Sequence, residues 1–240
     1  MNIYNPVLED FVDGVDFGPN NPCTWVVYPP GCAGDLLASI VNFHYVETGA
    51  RFKGIASNGR VIFRSSDMKL SNQRMQSNTL KFDNQFFYDV ADSLSARHLN
   101  WSKMDNFIFA NHCYTDNYIQ MILDAFSNCK IIRLLPRTHR AQEIVRWMNR
   151  FKNSSSGATT LVLPNNADDK LPPQTHWDDP RLLTVFFDDF INQKNFASMY
   201  QHIQTHLTFA GPMITYDFVK FWIDHQHPEV QRHIKRLAEY

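Results

Sequence analysis

Short apolar runs, each closed by turn residues, alternate along this chain with longer stretches of helical periodicity. Thr24-Trp25-Val26-Val27-Tyr28 is a β-prone run stopped by Pro29-Pro30-Gly31. From Asp35 to Phe43, residues Leu36, Leu37, Ile40, Val41 and Phe43 form a broad apolar face, which predicts a helix. Val61-Ile62-Phe63 predicts a short strand, and Asp83 to Arg97 a helix. Asn106 to Ala110 reads as a buried strand ending at Asn111-His112, with a helix from about Asn117 to Phe126. Cys129 to Leu135 is the next strand; it ends at Pro136-Arg137-Thr138 and leads into a helix from about His139 to Phe151. Asn153 to Gly157 is a Ser/Gly joint, Thr159 to Leu163 a further strand candidate, and Asp168 to Pro180 a loop. Leu182 to Phe187 predicts a late strand before helices at Phe196 to Leu207, Tyr216 to Trp222 and after Pro228.

Strands and helices alternating at this spacing predict parallel βαβ units. The expected fold is therefore three-layer α/β: a short, mostly parallel sheet with helices on both faces. Residues 1–22, rich in Asn, Pro, Gly and Asp, read as a lead-in, and 23–240 as a single domain. Repeats, heptads and low-complexity tracts are absent.

Composition narrows the function classes. With 44% hydrophobic and 20% charged residues, the chain has material for a sizeable core. A net charge of −1 supplies no global basic field, so nucleic acid is not an expected partner. Cys23, Cys32, Cys113 and Cys129 form no C-x-x-C pair and read as reduced thiols. The first residues lack the basic and apolar regions of a secretory signal, and no apolar run approaches the roughly 18–20 residues of a membrane span. Cytoplasmic residence without membrane partners is the expectation.

Candidate chemistry concentrates at the predicted strand ends. In Pro29-Pro30-Gly31-Cys32-Ala33-Gly34-Asp35, small residues let backbone N–H groups converge, and the next helix adds its positive N-terminal end. Such a turn suits a phosphate or sulfate, with Gly31, Cys32, Ala33 and Gly34 as the holding residues. The bland reading is an ordinary tight βα turn, and Asp35 would either repel an anion or cap the helix. On the first reading, Gly34→Val should cost ligand affinity more than stability. No Gly-Lys-Ser/Thr follows, which counts against a Walker-type kinase.

His112, just past a strand end, suits a general base; its bland reading is a surface or capping histidine. Arg137 stands where strand turns to helix and suits a bidentate grip on phosphate. Arg133 is the other cationic candidate, although its alternation in the strand also directs it toward a sheet face or a salt bridge. Arg140 and Arg146 read as solvated helix charges. His202 and His206 stand four apart on a helix, but no metalloprotease Glu accompanies them, so no metal site is expected.

Taken together, these residues resemble the sulfotransferases, a family with a P-loop-like fold. Pro29-Pro30-Gly31-Cys32-Ala33-Gly34-Asp35-Leu36 is similar to that family's 5′-phosphosulfate loop and the start of its helix. The strand ending at His112 resembles the one carrying the catalytic histidine. Lys130-Ile131-Ile132-Arg133-Leu134-Leu135-Pro136-Arg137 resembles the strand leading to the 3′-phosphate arginine. Leu183 to Phe190 is similar to the family's late strand and acidic segment. In character the loop resembles compact sulfotransferase-like proteins of bacteriophages and marine bacteria.

The resemblance implies sulfuryl transfer from 3′-phosphoadenosine 5′-phosphosulfate to a hydroxyl or amine, without a metal. His112 would be the catalytic base, and Gly31, Cys32, Ala33, Gly34, Arg137 and Arg133 would bind the donor. The chain also departs from the family: Pro30 stands near the place of the loop lysine, and Gln142 to Val145 replaces the serine expected two helical turns after the arginine. These departures keep a second expectation open, a catalytically inactive fold used as a binding or structural module. Such a module would self-associate or sit on a phage particle.

Overall fold

A computed structural model describes residues 22–42, 52–55, 61–63, 67–68, 107–112, 114–154, 178–208, 215–226 and 228–238. The predicted Asp83–Arg97 helix and Thr159–Leu163 strand, most of the Asp168–Pro180 loop and the lead-in lie outside these residues, as does Cys113.

The main sheet contains β1 (Cys23–Val27), β4 (Asp67–Met68), β5 (Phe107–Asn111), β6 (Cys129–Leu135) and β7 (Leu182–Phe186), in the order β4-β5-β1-β6-β7. Every neighbouring pair is parallel. β2 (Phe52–Ile55) and β3 (Val61–Phe63) form a separate antiparallel pair. The helices are α1 (Gly34–Asn42), α2 (Asp116–Ala125), α3 (His139–Ser154), α4 (Phe187–Ile191), α5 (Gln193–Leu207), α6 (Asp217–Asp224) and α7 (Pro228–Ala238).

Central β1 is buried along its whole length, as expected of a parallel strand covered on both faces. Its period of two sorts its side chains between two cores. Val26 joins Ile132, Leu134 and Ala110 in a cluster with Leu36, Leu37 and Ile40 of α1 and with residues of α3 to α7. Trp25 faces the other way. It stacks on Phe109 with ring centroids 4.4 Å apart and meets Phe126, directly after α2, at 5.5 Å. Helices therefore cover both faces, and the α/β architecture expected from the sequence is the one observed.

Boundaries differ where tertiary packing overrides local composition. α3 runs to Ser154, three residues beyond the predicted end and into the Ser/Gly joint. Phe187, expected in the last strand, instead opens the five-residue α4, whose Phe187, Phe190 and Ile191 all enter the core. No described helix is long and apolar enough to cross a membrane.

Candidate functional site at the switch point of the sheet

The chain leaves β1 toward β5 and β4 on one side, whereas it leaves β6 toward β7 on the other. In an open parallel sheet such a reversal opens a crevice beyond the carboxyl ends of the strands. Here it falls between β1 and β6. The register sets Val27, Asn111 and Arg133 level across three strands, so the β1 loop, His112 and the β6–α3 turn share one end of the sheet. All the site residues predicted from the sequence come to that end.

The β1 loop begins with a turn in which the Cys32 N–H donates to Pro29 O at 3.1 Å. Gly31 has φ 93°, the positive value expected at the third position of a type II turn with Pro30 second. Ala33 takes the left-handed region, at φ 55°, and its carbonyl accepts from Leu36 at 3.0 Å and Leu37 at 3.1 Å to start α1. The Cys32 amide is thus used within the turn. Its side chain is fully buried, and burial, then the nearby Asp188 carboxylate, push the thiol well up. Cys32 is accordingly a neutral packing group, neither a nucleophile nor a thiolate donor.

Tyr28 covers this loop. Its ring lies against Gly34, where any Cβ would overlap the ring carbons, and its hydroxyl donates to Asp35 in the first turn of α1. Gly34→Val, expected to cost ligand affinity more than stability, therefore also carries a steric cost to the fold that the sequence did not reveal. The small residue is demanded by the chain's own tyrosine, so a side chain here strains the fold whether or not a ligand binds. The sequence offered no periodic signal for Tyr28, because the contact forms across a seven-residue turn. Asp35 meets the Tyr28 hydroxyl.

His112 packs edge-on against Tyr28, with ring centroids 4.9 Å apart and planes at 82°. It is partly buried, and its carbonyl accepts from the Tyr114 N–H at 3.1 Å in a tight turn before α2. The imidazole therefore borders the β1 loop through Tyr28.

Across the crevice, α3 is capped twice. Thr138 Oγ1 accepts from the Ala141 N–H at 3.1 Å as an ordinary N-cap. Asp188 of α4 adds a cap from outside the helix: its carboxylate accepts from Arg137 N–H at 2.8 Å, Thr138 N–H at 3.2 Å and Thr138 Oγ1 at 2.5 Å. A carboxylate at a helix N-terminus satisfies orphan donors and complements the dipole. With its backbone held this way, Arg137 projects outward, 49% exposed. Its guanidinium pairs with Asp189 at 3.0 Å and lies 4.8 Å from the Phe186 ring centre. The acidic pair was visible in the sequence, but its part in capping α3 from 50 residues away was not.

Arg133 takes the salt-bridge option. It is 1% exposed, and its Nη1 meets Asp116 at 2.9 Å in the first turn of α2. Arg140 and Arg146 are exposed, as expected of solvated helix charges. Among the described residues, no three His, Cys, Asp or Glu side chains gather as metal ligands. Cys23, Cys32 and Cys129 are buried free thiols.

The described residues form an open α/β fold whose main sheet is parallel throughout, with a switch point between β1 and β6. No family model matches the chain, and no curated protein does. Among solved structures, it is similar to the sulfotransferase domain of the Synechococcus PCC 7002 olefin synthase, with 11% identity and a TM-score of 0.38. That match covers 95% of this chain and 96% of the other. It is also similar to a sulfotransferase domain from the curacin biosynthetic pathway, with 9% identity and a TM-score of 0.36, covering 92% of this chain and 96% of that one.

Proposed function

We propose that residues 23–240 act as one sulfotransferase-like domain that moves a sulfuryl group from 3′-phosphoadenosine 5′-phosphosulfate to a hydroxyl or amine. The observation that carries this reading is the strand order and register, which bring the ends of β1, β5 and β6, and so the segments holding the β1 loop, His112 and Arg137, to one end of the sheet beside its switch point. In the reaction, the amides of Gly31, Ala33 and Gly34 and the start of α1 hold the 5′-phosphosulfate. Arg137 exchanges Asp189 for the 3′-phosphate, a charge-assisted contact of the same kind. His112 takes the acceptor proton as the acceptor oxygen or nitrogen attacks sulfur in line, and the S–O bond to the donor phosphate breaks. The electron pair leaves on that phosphate oxygen, where the loop amides stabilise its charge. The chemistry uses no metal, and the setting is a reducing cytoplasm.

A second reading is favoured by a specific observation. The two helix starts that border the crevice already carry carboxylates of this chain, Asp35 at α1 and Asp188 at α3. A chain that fills its own anion positions suits a non-catalytic binding or structural module, self-associating or carried on a phage particle.

Isothermal titration with adenosine 3′,5′-bisphosphate separates the two. Saturable binding, followed by sulfation in a broad acceptor screen, supports the transferase; no binding at millimolar ligand leaves the module. In an active protein, His112→Ala should keep bisphosphate affinity and lower turnover by roughly 10²–10⁴-fold. Full turnover in that variant removes His112 from the chemistry.

A further inference from the structure

Arg133 is a full positive charge with almost no solvent contact, 1% exposed at the end of β6. A buried guanidinium needs acceptors for its whole donor fork, because the unpaired charge is otherwise strongly disfavoured. Asp116 meets Nη1. Nε and Nη2 are buried and meet no acceptor among the described residues. Those two atoms form the edge with which an arginine grips a carboxylate, sulfate or phosphate bidentately.

The surroundings say which ligand this edge would serve. Arg133 is level with Val27 and shares the sheet face of Ile131 and Trp25, away from the Val26–Ile132 face that α1 covers. Asp116, its ion-pair partner, belongs to the segment that begins with His112, as does Tyr114, which also acts on its charge. Arg137 and Asp188, by contrast, belong to the β6–α3 turn. Asp116 is 26% exposed, so the acidic half of the ion pair reaches solvent at the start of α2. The α2 N-terminus, whose Thr115 provides no side-chain cap, adds its positive end there.

We propose that the Nε–Nη2 edge of Arg133 binds an oxyanion carried by the acceptor substrate, which makes the acceptor an acidic molecule bearing a carboxylate, sulfate or phosphate. The assignment to the acceptor rests on the transferase reading above; the oxyanion site itself does not.

The test uses the full chain, labelled with ¹⁵N, and follows the Arg133 Nε–Hε resonance. The resonance is assigned by its loss in Arg133→Lys or, should that variant fail to fold, by its slow exchange with solvent. Sodium sulfate and sodium acetate are titrated against sodium chloride at matched ionic strength. The expected result is a saturable shift with sulfate or acetate, absent with chloride and retained after saturation with adenosine 3′,5′-bisphosphate. Sulfate and acetate distinguish a tetrahedral from a planar group. An equal response to chloride, or none to any salt, overturns the site. Loss of the response in the bisphosphate-saturated protein overturns the acceptor assignment and makes Arg133 part of the donor site. A sulfate response in a protein that does not bind the bisphosphate supports the Arg133 site while the donor reading fails.

Discussion

At the residue scale, one constraint in the candidate site is internal: the Tyr28 ring occupies the place a side chain at Gly34 would take. Ordinarily Gly→Ala in a helix stabilises by about 1 kcal/mol through propensity. Here the added methyl meets a ring held by Asp35 and bordered by His112, so Gly34→Ala should destabilise by about 1–3 kcal/mol, as overpacking does. A double-mutant cycle in urea checks the cause. In a Tyr28→Ala background the same change should become neutral or stabilising. An equal loss in both backgrounds would assign the constraint to something other than the tyrosine. The wider point is that a run of small residues has two physical explanations, an approaching ligand and an approaching side chain, and sequence spacing alone does not separate them.

At the element scale, α3 depends on α4. Asp188 is 9% exposed and accepts from two backbone N–H groups and one hydroxyl at the helix start. Asp188→Ala leaves those donors without the carboxylate and removes a favourable charge from the dipole. Each effect falls within the usual range for a lost buried hydrogen bond or cap, so the sum should be about 2–4 kcal/mol. Asp188→Asn retains an acceptor oxygen and should lose distinctly less. Denaturation midpoints of the three proteins check the order. A loss below about 0.5 kcal/mol in the alanine variant would mean that Thr138 caps the helix unaided. The same cap fixes the backbone that presents Arg137, which links stability to the geometry of the proposed 3′-phosphate contact.

At the scale of the whole molecule, stability should follow pH through His206 near the end of α5. Burial, then the Lys130 charge, hold its imidazole below the usual value of 6.5. Lys130 reaches the same helix end, where its ammonium donates to the His206 carbonyl and, at 3.5 Å, meets Thr208 Oγ1. Below pH of about 6.5 the unfolded chain binds a proton that the folded chain resists, so stability is complete above that pH and declines as pH falls through the folded value. Melting temperature measured from pH 8 to pH 5 should therefore drop at the acid end. His206→Asn should flatten that slope. An unchanged slope would assign the acid sensitivity to other groups.

Local pattern made most of the long elements and the placement of candidate chemistry at strand ends legible, but not the short β2, β4 and α4. Apolar runs such as Cys129–Leu135 and the helical face of Leu36, Leu37 and Ile40 are local patterns. A buried strand or an amphipathic helix is dictated by the residues it contains. The Pro-Pro-Gly turn was equally legible, because Pro30 and the positive φ of Gly31 are local backbone chemistry. Only the tertiary structure decided that Tyr28 closes over Gly34, that Asp188 caps a helix 50 residues upstream, and that Arg133 pairs with Asp116 across β1. Those contacts join side chains far apart in the chain and depend on the strand order β5-β1-β6. That order is set when helices bury both faces of the sheet at once, an outcome of the packing of the whole molecule that no single segment encodes.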